Sequence, residues 1–163
     1  MVDQEIEDEF PRLRTAGSFF VTSPKNPRYN CVAWGARDVT RIWQYLPGLA
    51  GYYWPEELTT DETLESWIRV FEIEGGFSQC SERSLEPGIE KIAIYIDARG
   101  EPTHVSRQMA SGLWTSKLGY RGKDIVHRKL EYLEGGIYGT VAQIMQRSAK
   151  AQDAAELAAI FAP

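Results

Sequence analysis

The sequence predicts an α+β fold in which two helices precede an antiparallel sheet. Two observations favour this class. The first half of the chain contains two segments with helical signals, at about residues 31–38 and 60–75. The second half contains short apolar stretches separated by turn residues, which is typical of a β meander. Helices followed by a run of strands indicate an α+β arrangement.

The first predicted helix begins after a proline-rich lead-in at residues 23–28. Proline fixes its own φ and disfavours helical backbone in the preceding residue, so this lead-in is not helical. Asn30 is then placed to act as the N-cap, with Cys31 in the first turn. We expect the helix to end at residues 35–38, or to continue as far as Trp43.

The second predicted helix has the clearest pattern in the chain. Thr59 and Glu62 fit a capping box, and Gly75 and Gly76 mark the end. Between these limits an apolar stripe recurs at helical spacing, formed by Leu64, Trp67, Ile68 and Phe71. This stripe predicts a helix that packs one face on the core.

Three strands are expected next, at residues 91–97, 103–109 and 113–118. A further strand is predicted at 18–21, and Asp124 is expected to cap a short helix that extends to Leu133. Residues 138–147 suit either a strand or a helix. The chain is expected to form a single domain, 1–163, with a core at about 18–147, an acidic N-terminal arm and an alanine-rich C-terminal helix that carries Ala154, Leu157, Ala158 and Phe161.

Composition limits the classes of function. The net charge is −5 and no basic run occurs, which argues against nucleic acid and anionic membrane surfaces as partners. The acidic N-terminus lacks the apolar region of a secretory signal, and no stretch approaches the length of a membrane span. With two cysteines and two histidines, no disulfide framework, metal site or cofactor is expected. The predicted location is the reducing cytoplasm.

Cys31 is the predicted nucleophile. Unpaired amides and the positive end of the helix dipole stabilise a thiolate at a helix N-terminus. A thiol nucleophile also needs a base, and histidine titrates near neutral pH. His104 begins a predicted central strand, whereas His127 is expected at the surface and Cys80 is expected to be structural. The alternative for Cys31 is that of a small buried hydrophobic residue.

The register of the hairpin decides which residue orients His104. A two-residue turn places His104 opposite Gly119 and on the same face as Thr115, whose hydroxyl could accept an imidazole N–H. A three-residue turn would bring Ser116 to that face instead. The two-residue turn is preferred because it leaves the opposite face uniformly apolar, so Thr115 is the predicted third catalytic residue.

The remaining predicted site residues surround this pair. The backbone N–H of Cys31 and the side chain of Asn30 would stabilise an oxyanion. The aromatic stretch 51–55 would form one wall of the substrate cleft, and the cationic strand residues would bind a carboxylate. The predicted substrate-binding residues are Trp34, Tyr53, Trp54, Arg107 and Lys117.

Two resemblances accompany these residues. A helix that opens with Asn-Cys, has an aromatic residue three positions later and is followed by a meander with histidine on its second strand resembles the papain-like thiol group. NlpC-type and CHAP amidases are its small bacterial members. This resemblance implies a papain-like core, with the nucleophile at Cys31 and the base at His104.

The chain also resembles an uncharacterised family of small bacterial proteins. The similarity covers most of residues 18–147 and implies no particular activity. It rests on five blocks of sequence: YNCVAW at 29–34, EKIAIY at 90–95, THVSRQ at 103–108, WTSKLG at 114–119 and DIVH at 124–127.

Two functions are therefore expected. The first is a cysteine hydrolase or acyltransferase that acts on an amide or thioester in a peptide, a protein or a small molecule. Cys31 would attack the carbonyl, and His104 would serve as base and then as acid. The second is a catalytically inactive binding or immunity-type module that uses its aromatic stretch and acidic surface to bind a protein partner. Thr115 as the third residue favours the second function, because papain-like enzymes usually have Asn, His or an acid there.

Overall fold

A computed structural model describes residues 3–58, 60–119 and 122–149 of the chain. Nine strands, three α-helices and two short 3-10 helices make up this part. In chain order they are α1 (Gln4–Glu9), a 3-10 helix (Pro11–Arg14), β1 (Phe19–Ser23), α2 (Cys31–Gly35), β2 (Ile42–Trp43), β3 (Tyr52–Tyr53), α3 (Leu64–Gly75), β4 (Ser78–Cys80), β5 (Ile89–Ile96), β6 (Pro102–Gln108), β7 (Trp114–Lys117), β8 (Asp124–His127), a 3-10 helix (Leu130–Leu133) and β9 (Thr140–Ser148).

A seven-stranded antiparallel sheet dominates the molecule. Its strand order is β1-β8-β7-β6-β5-β9-β4, so β1 and β4 lie at the edges. The strands β2 and β3 form a separate parallel pair. No described helix is both long enough and apolar enough to cross a membrane.

The predicted fold class is wrong in its balance of elements. The structure is mostly antiparallel β, and its longest helix, α3, has twelve residues. The predicted papain-like core is also wrong, since the helix that carries Cys31 has five residues and a seven-stranded antiparallel sheet takes the place of the short meander. Residues 124–133 do not form the predicted helix, because Asp124–His127 is the fully buried strand β8. The predicted C-terminal helix lies outside the described residues.

Several local predictions are confirmed. Asn30 caps α2, with its side chain accepting a hydrogen bond from the Ala33 amide. The apolar stripe of α3 packs on the sheet, although the capping box begins at Thr63 and Ser66 rather than at residue 59. Gly76, at φ 69°, ends this helix in the left-handed conformation that glycine tolerates.

The sheet separates two hydrophobic cores. One core contains α2, α3 and the residues of β5 and β6 that face them, among them Ile92, Ile94 and Val105. The other core lies beneath α1 and the two 3-10 helices, and it contains Ala93, Tyr95 and Trp114. Successive residues of a strand point to opposite faces, so each central strand contributes to both cores.

The hairpin between β6 and β7 has the three-residue turn, so the preferred two-residue turn is wrong. The Met109 amide donates to the Leu113 carbonyl, and Ser106 pairs with Ser116. A shift of one residue moves every side chain of a strand to the other face. Ser116 therefore shares a face with His104, and Thr115 points to the opposite side.

Candidate functional site

The side chain of Asn30 joins the start of α2 to β2. Its Oδ1 accepts hydrogen bonds from the amides of Ala33 and Trp43, each at 3.1 Å. Its Nδ2 donates to the Trp43 carbonyl at 3.1 Å. The amide that was predicted to stabilise an oxyanion thus holds backbone groups together, which is a structural use of this residue.

Cys31 is buried in the first turn of α2, with 8% of its surface exposed. Burial raises the pKa of its thiol to about 11, and the amides of Val105, Cys31 and Val32 and the charge of Lys117 only partly oppose this shift. At neutral pH the side chain is a thiol. The feature that suggested a nucleophile, a helix N-terminus, is outweighed by desolvation.

His104 lies on the other side of the sheet. Its ring stacks on the ring of Tyr138, with 4.0 Å between the ring centroids and 4° between the ring planes. The centroid of the Tyr95 ring lies 5.3 Å from that of His104. Cys31 instead packs with Val105, the next residue of β6, which points to the opposite face. The structure therefore does not bring the predicted nucleophile and base together.

The imidazole of His104 is also unsuited to act as a base in this structure. Neither ring nitrogen has a hydrogen-bond partner, and the residue is 1% exposed. Burial lowers its pKa well below the ordinary value, and the nearby charge of His127 acts in the same direction. His104 is a neutral core residue.

Residue His127 is buried, and its predicted surface position is wrong. Its Nδ1 lies 3.0 Å from the Lys129 carbonyl, which can only accept, so Nδ1 carries the proton. Its Nε2 then accepts from the Ser116 hydroxyl at 2.8 Å, and Ser116 contacts the Ser106 hydroxyl at 2.8 Å. The Ser106 hydroxyl also lies 3.3 Å from the Tyr95 hydroxyl, and its single proton can serve only one of these two contacts. Burial lowers the pKa of His127 to about 4.

This buried polar network is the feature that sequence reasoning missed. It contains a Ser–His contact, but Ser116, His127 and Ser106 are all fully buried, so no substrate reaches them. The signal available in the sequence was the three-residue turn, which places Ser106 opposite Ser116. Hydrogen bonds of this kind between neighbouring strands fix strand register within a core.

The predicted third catalytic residue, Thr115, serves a different partner. Its hydroxyl donates to the Ile125 carbonyl at 2.9 Å and accepts from the Trp34 indole N–H at 3.3 Å. Trp34 is half-buried, and the guanidinium of Arg107 lies 4.8 Å from its ring centre. This stack covers β6 and β7 on the face opposite His104, so Thr115 does not orient that imidazole.

Lys117 is fully buried on the same face as Thr115. Its ammonium donates to the carbonyls of Gly119 and Gly122, at 3.2 and 2.6 Å, and lies 5.1 Å from the centre of the Tyr29 ring. Burial lowers its pKa from the ordinary value. Backbone carbonyls and an aromatic ring thus surround the charge that was predicted to bind a carboxylate.

The Tyr29 hydroxyl is held by a buried carboxylate beside Lys117. Asp124 accepts hydrogen bonds from the hydroxyls of Tyr29 and Ser23, both at 2.5 Å. Burial raises the pKa of Tyr29 to about 12, and the hydrogen bond to Asp124 is the second largest cause of this increase. These contacts join the start of α2 to β8.

The aromatic stretch 51–55 packs on neighbouring elements. The Tyr53 hydroxyl donates to Glu74 of α3 at 2.5 Å, and the Arg41 guanidinium lies 3.6 Å from the centre of the Tyr53 ring. Burial raises the pKa of Tyr53 to about 12, and Glu74 adds to the shift. Trp54 is half-buried against the core that contains Cys31. The stretch therefore does not form the wall of an open cleft over Cys31.

Two depressions on the described part of the surface lie elsewhere. One, of about 330 Å³, lies between α1 and the turn after β7 and is lined by Glu5, Glu9, Lys25, Leu118 and Lys123. None of the predicted catalytic residues lines it. Within residues 3–58, 60–119 and 122–149, no three His, Cys, Asp or Glu side chains are grouped as metal ligands.

The two thiols are expected to differ in reactivity in the folded protein. A pKa raised from 9.0 to about 11 gives Cys31 about a hundredfold less thiolate at neutral pH than an ordinary thiol. Cys80 is partly exposed. Iodoacetamide should therefore modify Cys80 first, as followed by peptide mass spectrometry, and both thiols equally in urea. Fast labelling of Cys31 that slows in His104→Ala would contradict this result.

Comparison with known proteins gives a family but no activity. No curated protein and no solved structure matches the chain. Residues 20–146, which are more than half of the sequence, match one family; they contain α2, α3, the strands β2 to β8 and most of β1 and β9. The chain belongs to the family described as Domain of unknown function (DUF7689).

Proposed function

We propose that this protein is a non-enzymatic binding module that binds a basic segment of another protein. The observation that carries the proposal is an acidic and aromatic surface formed by residues 45–65. From 42 to 68 the chain contains five acidic residues and no lysine or arginine. The five carboxylates belong to Glu56, Glu57, Asp61, Glu62 and Glu65, and all are exposed.

Apolar side chains lie beside these carboxylates. The loop after β2 exposes Tyr45, Leu46 and Leu49, with exposed fractions of 44%, 38% and 55%. Because β2 and β3 are parallel, the residues that follow them emerge at the same end of the pair. Glu56 and Glu57 thus follow β3 at the same end of the pair at which Tyr45 follows β2. Exposed apolar groups next to charges of one sign are typical of protein-binding surfaces.

The charges of this surface are available to a partner. None of the five carboxylates forms an ion pair with any residue in the described part of the chain. Acidic groups that are left unneutralised attract a basic partner and repel an acidic one. By contrast, the closed surroundings of Cys31 and the position of His104 give an enzymatic function no support. The two free thiols are consistent with our proposal of a cytoplasmic location.

The proposal predicts charge-dependent binding of a basic amphipathic peptide. A fluorescein-labelled peptide with lysine and leucine in a helical pattern should bind, and added salt should weaken the complex. The double variant Glu56→Gln with Glu57→Gln should raise the dissociation constant by at least about threefold, because two attractive charges are lost. Fluorescence anisotropy measures both effects.

A matched control separates the local surface from the net charge. Glu7→Gln with Glu9→Gln changes the net charge equally, and these residues belong to α1 rather than to the proposed surface. This control should bind the peptide as the unchanged protein does. Equal weakening in both double variants, or equal binding of a peptide with glutamate in place of lysine, would refute the proposal.

A further inference from the structure

The strand β1 is one edge of the seven-stranded sheet, and its ladder with β8 is regular from Phe19 to Val21. It pairs with β8 on one side, and no described strand pairs with its other side. Its exposed fractions reach 56% at Phe20 and 40% at Val21. β1 contains no charged residue and no proline, the groups with which proteins usually protect an edge.

The pattern of the ladder shows which backbone groups point outward. The Arg128 amide donates to the Ser18 carbonyl at 3.0 Å, and Phe20 pairs with Val126. Hydrogen-bonding groups alternate in direction along an antiparallel strand. The N–H and C=O groups of Phe19 and Val21 therefore point away from β8. These two N–H donors and two C=O acceptors can form hydrogen bonds with one further strand.

The opposite edge of the sheet differs in both length and composition. The strand β4 has three residues, Ser78–Cys80, and two of them are polar and exposed. A short polar edge of this kind gives an added strand little to bind. The contrast indicates that β1, rather than sheet edges in general, is suited to strand addition.

Basic side chains lie at both ends of β1. Arg128 is exposed at the beginning, where its Nε donates to the Gly17 carbonyl at 2.7 Å. Lys25 and Arg28 are exposed just beyond the end, and Lys25 forms a surface ion pair with Glu5 at 3.3 Å. From 11 to 37 the chain has five basic residues and no acidic one. A strand added to this edge would therefore place both of its ends near positive charge.

This distribution of charge distinguishes a second copy of β1 from an acidic segment as the strand that binds to this edge. In an antiparallel pair of two β1 strands, Lys25 of each copy would approach Arg128 of the other, and like charges disfavour this arrangement. An acidic segment would be attracted at both ends. We infer that the β1 edge binds an extended segment of another protein that is apolar at alternate positions and carries acidic residues at both ends.

The experiment uses a synthetic peptide as the probe. It alternates valine and threonine in its centre and carries glutamates at both ends, and a second peptide carries lysines there. In ¹⁵N-labelled protein, the glutamate peptide should shift the amide signals of Phe19 and Val21 and slow their hydrogen exchange, because these groups become hydrogen-bonded. The lysine peptide should have neither effect.

Two substitutions of one residue make the test specific for the edge. Val21→Pro removes an outward N–H without removing a bond to β8, so the peptide should no longer bind. Val21→Thr keeps the N–H and should bind normally, and thermal unfolding shows whether both variants fold. Three results would overturn the inference: no shift with the glutamate peptide, equal binding by folded Val21→Pro, or a dimer of the unchanged protein in sedimentation that Val21→Pro dissociates.

Discussion

Replacing Glu90 with alanine is expected to lower the free energy of unfolding by about 3–5 kcal/mol. Glu90 is 3% exposed and lies between two guanidinium groups. Its Oε1 accepts from Arg37 at 2.7 Å and its Oε2 accepts from Arg147 at 2.9 Å. Without this carboxylate, the largely buried guanidinium of Arg147 would lose its ion-pair partner, and the cost of an uncompensated buried charge far exceeds that of a lost surface pair.

Arg37 and Arg147 show how much of the structure depends on this carboxylate. Arg37 follows α2 with φ at 65°, a conformation in which glycine is usual, yet its side chain is needed for the ion pair. Arg147 belongs to β9, donates to the Gly75 carbonyl at 2.8 Å and stacks over Phe77. Although burial alone would raise the pKa of Glu90, the bonds from Arg147 and Arg37 keep it below the ordinary value. One side chain thus links α2, β5, β9 and the end of α3.

Urea denaturation monitored by tryptophan fluorescence measures the change. Glu101→Ala is the matched control, because Glu101 pairs with Arg99 at 3.1 Å and both side chains are more than half exposed. This control should change the free energy of unfolding by less than about 1 kcal/mol. If Glu90→Ala and Glu101→Ala lowered the free energy of unfolding by similarly small amounts, the ion pairs of Glu90 with Arg37 and Arg147 would not stabilise the fold.

Local signals in the sequence predicted local structure well. The proline-rich lead-in and Asn30 predicted the start of α2, and the spacing of Trp67, Ile68 and Phe71 predicted the buried face of α3. Each of these features depends on residues within a few positions of one another. Capping and amphipathic periodicity therefore act wherever the segment is placed in the fold.

The prediction of the third catalytic residue failed because it depended on the register of the hairpin between β6 and β7. Two-residue and three-residue turns after β6 differ by one position, and that difference exchanges Thr115 for Ser116 on the His104 face. An apolar opposite face favoured the wrong turn. The structure instead places Thr115 and Lys117 beneath α2, where Trp34 and backbone carbonyls accommodate their polar groups.

The strand β8 was missed because its own residues do not show it to be a strand, although it pairs with β7 and with the distant β1. Asp124 and His127 flank only two apolar residues, so the segment lacks the pattern of a buried strand. Asp124 accepts a hydrogen bond from Tyr29, and His127 contacts Ser116; these partners are 95 and 11 residues away. The position of Cys31 was misjudged for the same reason, since only the packed structure reveals that burial raises its pKa.

Acidification is expected to destabilise the protein through its two buried histidines. Burial lowers the pKa of His127 from 6.5 to about 4, and it lowers that of His104 in the same direction. The unfolded chain therefore binds more protons than the folded one below about pH 6.5, so stability falls as the pH falls. Between pH 6.5 and 5, His127 alone should remove about 2 kcal/mol, and His104 adds to this loss.

The pH range separates the histidines from the carboxylates. The folded-state pKa values of Asp38, Asp3 and Glu90 are lowered, so these groups stabilise the protein until the pH falls to about 4.5 and below. Free energies of unfolding from urea titrations at several pH values between 7 and 5 therefore report mainly on histidine. His127→Gln should reduce the pH dependence of the free energy of unfolding by about half, whatever the substitution does to stability at pH 7. A variant that keeps the full slope would show that His127 already titrates normally in the folded state, and hence that the Ser116–His127 network is open to solvent.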